Sequence, residues 1–123
     1  MSKNTDLGLL ILRVGVSGLM LTHGLPKLLK LLQGNFEFAD PIGLGSTISL
    51  ILIVIAEVIC PVLILVGIKT RIATIPPIIA MAVAAFMVHG TDPIGTKEKA
   101  LLYLVVFIAI GLMGAGKLSL DKK

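Results

Sequence analysis

The sequence predicts an all-α fold, a four-helix transmembrane bundle, on three observations. Of 123 residues, 56% are hydrophobic and only 15% charged, against about 25% charged in a soluble domain, and the mean hydropathy is +1.04. The apolar residues fall into four runs, each near the length that crosses a hydrocarbon core of about 30 Å. None of these runs alternates as the strands of a membrane barrel do, whereas a helix satisfies its own backbone hydrogen bonds in lipid. Four spans of roughly 20 residues leave only connections and tails, so residues 1–123 read as a single transmembrane domain. This composition excludes a secreted disulfide scaffold, a disordered chain and a nucleic-acid-binding module. Cys60 is the only cysteine, which excludes an intrachain disulfide.

The first helix is expected over about residues 7–32, interrupted by Arg13, His23 and Lys27. Its opening stretch Leu7–Leu12 is short, is cut by Arg13 and has no small-x-small cleavage site, so it reads as a retained helix rather than a signal peptide. Pro26 lacks a backbone donor and frees the Thr22 carbonyl, which predicts a kink or an end near Gly24. The stretch from Gly34 to Gly45 holds Asn35, Asp40, Pro41 and three glycines and reads as a loop, with Phe36 and Phe38 placed to rest at the lipid interface.

The second helix is expected over about 44–68, with one acid, Glu57, near its middle. Pro61 follows Glu57 by one turn and would free the Glu57 carbonyl, and Cys60 reads as a small packing residue. Gly67, Lys69, Thr70 and Arg71 make a tight turn into the third helix, about 72–89, which ends at His89 and Gly90. After Asp92 and Pro93 the fourth helix is expected over about 98–114, opened by the ordinary helix-end charges Glu98 and Lys99. Small residues at Gly8, Gly15 and Gly18, at Ala80, Ala84 and Ala85, and at Gly111, Gly114 and Ala115 mark close helix packing, within the bundle or in a homo-oligomer.

Sorting the charges gives an orientation. One side of the membrane would carry Lys3, Lys69, Arg71, Lys117, Lys122 and Lys123 against Asp6 and Asp121. The other would carry Lys27, Lys30, Lys97 and Lys99 against Glu37, Asp40, Asp92 and Glu98. The basic excess places both termini in the cytoplasm. The net charge of +4 is therefore read as an orientation signal rather than a polyanion-binding surface.

Arg13 and Glu57 are left over inside the bilayer, where a charge costs about 2.5–3.5 kcal/mol on insertion scales and must find a partner. Arg13, Ser17, Met20, Gly24 and Lys27 share one helical face, a polar seam flanked by His23. At about 1.5 Å of rise per residue, Glu57 falls between Arg13 and His23 in height. An Arg13–Glu57 ion pair is therefore expected between antiparallel neighbouring helices, either as a structural lock or as part of proton or substrate handling. His23, His89, Lys27, Asp92 and Glu98 are expected near one level, as a polar mouth above Glu57. The spacing of the two histidines matches no metal motif, and no phosphate loop, nucleophile elbow or paired catalytic carboxylate is present.

The order of motifs carries a resemblance. Leu12-Arg13-Val14-Gly15, His23-Gly24-Leu25-Pro26-Lys27, Ala56-Glu57, Gly67-Ile68-Lys69-Thr70-Arg71, His89, Glu98 to Tyr103 and Gly114-Ala115-Gly116-Lys117-Leu118-Ser119-Leu120-Asp121 follow one another along nearly the whole chain. This pattern resembles the DoxX family of small bacterial integral membrane proteins. The resemblance implies four transmembrane helices in the bacterial cytoplasmic membrane and a link to redox metabolism. The family is named for a small subunit of a thiosulfate:quinone oxidoreductase, and other members associate with soluble redox enzymes. The family's recurrent Arg, His, Lys and Glu map here to Arg13, His23, Lys27 and Glu57. The sequence holds no flavin, haem or metal motif, so a bound quinone or a soluble or membrane redox partner is expected to carry the electrons. Two other readings stand beside this one. In the first, the protein is a proton-coupled transporter acting as an oligomer, with Glu57 titrating. In the second, it is a membrane scaffold held by the Arg13–Glu57 pair.

Overall fold

The computed structural model of the chain describes residues 3–34, 43, 45–88, 91 and 93–121. Four helical rods follow one another: α1 (Lys3–Leu32), α2 (Ser46–Val66), α3 (Thr70–Met87) and α4 (Ile94–Met113), with no strand among the described residues. The first three are long and apolar enough to cross a membrane by length and composition. The fourth has comparable length but carries Lys97, Glu98 and Lys99 in its first turns. The expected loop between α1 and α2, with Asn35, Phe36, Phe38, Asp40 and Pro41, lies largely outside the described residues, as do His89, Gly90 and Asp92.

Contacts along the rods fix an antiparallel up-down arrangement. Arg13 of α1 meets Leu65 of α2, while Lys27 meets Glu57. On α3 and α4, Arg71 meets Met113 and Thr74 lies against Gly111. His23 of α1 faces Tyr103 of α4 at one level, and Leu9 lies against Gly116 beyond the end of α4 at another. The core runs through the middle of this bundle and includes Val16, Met20, Ile64, Met81, Phe107 and Ile110. Large apolar side chains such as Ile11, Leu19, Ile72, Phe86 and Leu112 stay exposed around the outside, as expected of a surface solvated by lipid.

Three local features depart from the sequence reading. Helix α1 does not end near Gly24 but continues through Pro26 to Leu32, because losing one hydrogen bond does not outweigh a helix held on both sides of it. The glycines Gly8, Gly15 and Gly18 do not sit at packed contacts: a Cβ built on each meets nothing within 4 Å. The close approach falls on Gly24 instead. Finally, α2 and α3 each widen into a π-helical turn, at Ile55–Ile59 and Ala84–Val88, an irregularity frequent at functional sites.

The end of the bundle near Arg13 is closed by the segment after α4. Residues 114–121 fold back across it. The amides of Leu120 and Asp121 donate to the Val66 and Gly67 carbonyls at 3.3 and 2.7 Å. Asp121 in return accepts the amides of Lys69 and Thr70 at 2.8 and 2.9 Å, capping the start of α3. Asp6 accepts the Lys117 amide at 3.2 Å. Gly67 has φ +77° and faces Ser119 so closely that a Cβ there would collide with the serine Cβ. Hence a glycine is needed at this crossing both for conformation and for space.

Candidate functional site: a buried lysine–glutamate pair in a polar cavity

The site begins with Gly24. A Cβ at this position would lie 2.5 Å from the Glu57 carbonyl oxygen and 2.8 Å from the Glu57 carbonyl carbon. Helix α1 therefore docks directly on the backbone of the π turn that contains Glu57. Pro61 has no N–H to give the Glu57 carbonyl. The turn widens there, and the Cys60 amide reaches back to the Ile55 carbonyl. The carbonyl edge of Glu57 is thereby held against α1, and the glutamate side chain emerges beside Lys27, one turn beyond Gly24.

The Lys27 ammonium donates to both carboxylate oxygens of Glu57, at 2.7 and 2.9 Å. The glutamate is 3% exposed and the lysine 29%. The lean of side chains in helices explains the pairing. Each Cα–Cβ bond tilts toward the N-terminus of its own helix. In antiparallel neighbours, Lys27 leans back along α1 toward Glu57, and Glu57 leans back along α2 toward Lys27. Charge-assisted bonds of this length are the strong kind. A carboxylate this deep requires such a partner, since breaking a buried pair costs about 3–5 kcal/mol.

Around the pair lies a cavity of about 280 Å³, lined by Met20, His23 and Lys27 from α1, Glu57 from α2, Met81 and Ala84 from α3, and Lys97, Lys99, Ala100 and Tyr103 from α4. All four helices contribute, so the cavity exists only in the assembled bundle. One wall is aromatic. The His23 and Tyr103 rings meet edge to face, with centroids 5.8 Å apart and planes at 87°, and Tyr103 stacks on Phe107 at 6.3 Å. The opposite character comes from the Lys27–Glu57 pair and from Lys97 and Lys99. The lining thus combines two aromatic rings set nearly at right angles, two polarizable methionines and proton-bearing groups on several sides.

Of the candidate residues, His23, Lys27 and Glu57 come together here. His89 lies outside the described residues. Arg13 belongs to a different place, and the expected Arg13–Glu57 pair does not form. The Arg13 guanidinium, 1% exposed, donates to the Ala115 carbonyl at 3.0 Å, to the Leu118 carbonyl at 3.1 Å from each terminal nitrogen, and to the Leu65 carbonyl at 3.3 Å. The same lean that joins Lys27 to Glu57 separates Arg13 from Glu57, because the two side chains point to opposite ends of the bundle. A planar fork of five donors suits a cluster of carbonyls, and residues 114–121 supply it. Glu98, expected in the polar mouth, is exposed.

Tyr103, Lys97 and Lys99 were not singled out by the sequence as site residues. A spacing signal was present: Lys99, Tyr103 and Phe107 recur every four residues, which places them on one face of α4. Tyr103 is also the only tyrosine in the chain, standing in an otherwise apolar run.

The DoxX family model matches residues 8–90, which span α1 to α3 and include Arg13, His23, Lys27 and Glu57. Among curated proteins, the chain is 32% identical over 122 residues to "Putative oxidoreductase CatD" of Bacillus subtilis, covering 98% of this chain and 90% of that protein. It is 30% identical over 126 residues to an "Uncharacterized protein" of Haemophilus influenzae, covering 94% and 89% respectively. No solved structure matches the chain.

Proposed function

The chain belongs to the DoxX family of membrane proteins, and on that premise we propose that it is a membrane subunit of an oxidoreductase system that holds a quinone headgroup in the cavity at Lys27 and Glu57. The observation that carries this reading is the pairing, in one open pocket of about 280 Å³, of the aromatic rings of His23 and Tyr103 with the Lys27–Glu57 pair. The volume sits near the roughly 300 Å³ lower end of small-molecule pockets. It suits a single substituted ring and leaves an isoprenoid tail to lie outside among lipid.

A quinone supplies two-electron redox chemistry and must gain or lose protons at its carbonyl oxygens as it does so. The chain's own residues are suited to that need. Tyr103 would lie along the face of the ring with His23 at its edge, and the Lys27 ammonium would donate to one carbonyl oxygen. Glu57 would hold or release the proton that Lys27 exchanges, since a group that trades protons must lie within hydrogen-bond reach of its partner. Electrons would come from a partner redox enzyme, for which the name of the Bacillus subtilis relative is supporting context. The basic excess at Lys3, Lys69, Arg71 and Lys117 supports a cytoplasmic-membrane orientation with that end inside.

The test is affinity purification of the tagged chain from its native membrane, followed by quinone and protein analysis. The expected result is quinone together with a redox enzyme on the wild type. Quinone should be absent from a folded variant carrying Lys27→Met with Glu57→Leu. Equal quinone on both proteins overturns the assignment of the cavity.

A further inference from the structure

The opposite end of the bundle holds a second cavity that plays no part in the quinone reading. It measures about 360 Å³ and is lined by Lys69, Thr70, Arg71, Ile72, Gly114, Ala115 and Asp121. Three observations there bear on one chemistry. First, two cations face it with much of their hydrogen-bonding capacity unspent. The Arg71 guanidinium lies against Gly114, where a Cβ would fall 3.0 Å from Nε, and donates one long bond of 3.4 Å to the Met113 carbonyl. Second, Thr70 is 1% exposed, and its hydroxyl has no hydrogen-bond partner among the described residues. Third, Lys69 is the only non-glycine residue with positive φ among the described residues, at +47°. Glycine adopts that conformation at lower cost, so the lysine sits there against its backbone preference.

The cavity holds two cations against one carboxylate, Asp121, and so keeps a net positive charge. Both oxygens of Asp121 are engaged by the Lys69 and Thr70 amides. What remains is a guanidinium, an ammonium and a hydroxyl around one space, the donor set that suits a phosphate: Arg for paired bonds, Lys as a point charge. Apolar groups adjoin it. Ile72 lines the cavity, and Ile68, Ile75, Leu112 and Met113, close by in the chain, are exposed. A free phosphate has no use for such surroundings, whereas a phospholipid places its acyl chains along them.

We propose that this cavity binds the phosphate headgroup of an anionic phospholipid from the leaflet at this end, held by Arg71, Lys69 and Thr70. The occupied site would brace the turn between α2 and α3 against the folded-back segment 114–121, since both line it.

The experiment is native mass spectrometry of the full chain released from detergent, with phosphatidylglycerol, phosphatidylcholine and inorganic phosphate each added as probe. Wild type should retain one phosphatidylglycerol in preference to phosphatidylcholine. Arg71→Gln should weaken that retention about tenfold, as the loss of a charge-assisted hydrogen bond implies, and Lys69→Gln should weaken it in the same direction. Lys117→Gln, which removes a cation from the same end but outside the cavity, should leave it unchanged. If Arg71→Gln does not fold, the Lys69→Gln and Lys117→Gln pair decides alone. Equal retention of both lipids overturns the proposal, as does an equal effect of Lys117→Gln, which would mean diffuse surface charge. Displacement of the lipid by millimolar inorganic phosphate would assign the cavity to a free anion instead. Loss of quinone binding with lipid retention intact would bear only on the other cavity.

Discussion

Replacing Gly24 by alanine adds one methyl group where the structure has no room for it. The new Cβ would stand 2.5 Å from the Glu57 carbonyl oxygen and 2.8 Å from Val58 Cγ2. Ordinary contact begins at 3.4 Å, so α1 must withdraw from the π turn by about 0.9 Å. The obstacle is backbone and cannot rotate away. Overpacking of this kind costs about 1–3 kcal/mol. Against this stands a gain of up to about 1 kcal/mol from replacing glycine by alanine within a helix. With the full helix gain the net expectation is a loss of up to about 2 kcal/mol. Gly18→Ala is the matched control, since a Cβ there meets nothing within 4 Å. It gains the helix term without the clash and should be neutral or more stable in lipid or detergent. The assay is reversible unfolding of the two variants in detergent, with the same protein tested for ligand retention. A 0.9 Å withdrawal also stretches bonds of 2.7 and 2.9 Å between Lys27 and Glu57, so Gly24→Ala should bind less well even where it folds. Gly24→Ala and Gly18→Ala of equal stability would refute the close approach as the reason for glycine at position 24.

Other outcomes follow from the same geometry. Lys27→Met alone should cost about 3 kcal/mol, near the low end for breaking a buried pair because the lysine keeps 29% exposure. Adding Glu57→Leu should recover most of that loss in thermal unfolding. Exchanging charges as Arg13→Glu with Glu57→Arg should not rescue folding, because the two residues do not meet; recovery of folded protein would restore the pair rejected above. Arg13→Lys keeps the charge but cannot reach the Ala115, Leu118 and Leu65 carbonyls together. Residues 114–121 should then be cleaved by added protease faster than in wild type. Asp121→Asn keeps one acceptor for the two amides at Lys69 and Thr70 and should lower stability by about 1 kcal/mol, the usual worth of a helix cap.

The four rods were legible because hydropathy and length decide what crosses a membrane, and their expected bounds differ from the observed ones mainly at the ends. The polar seam of α1 was legible too, since Arg13, Ser17, Met20 and Gly24 are all buried. The partner of Glu57 was not. Height alone placed Arg13 and Lys27 on either side of it, and the choice turns on the lean of side chains in antiparallel helices, which rise per residue does not contain. The carbonyl cluster that Arg13 enters was also hidden, because residues 114–121 read as a tail and form regular structure with nothing local. The small-residue signal held at Ala85, Gly111, Gly114 and Ala115, which are buried or closely packed, but not at Gly8, Gly15 and Gly18, while Gly24 mattered through a backbone contact 33 residues away with Glu57. The aromatic wall needed α1 and α4 to be neighbours, a fact of assembly rather than of either helix.

The central claim is that the Lys27–Glu57 cavity receives a quinone ring against Tyr103, and the chain offers its own reporter. Tyr103 is the only tyrosine and there is no tryptophan, so tyrosine emission from the purified protein comes from the cavity wall alone. Titrating a short-chain quinone into the wild type in detergent should give a saturable quench. The folded Lys27→Met, Glu57→Leu variant should show only the weak linear quench of random collisions. A linear quench in the wild type, or the same saturable curve in both proteins, would contradict the account.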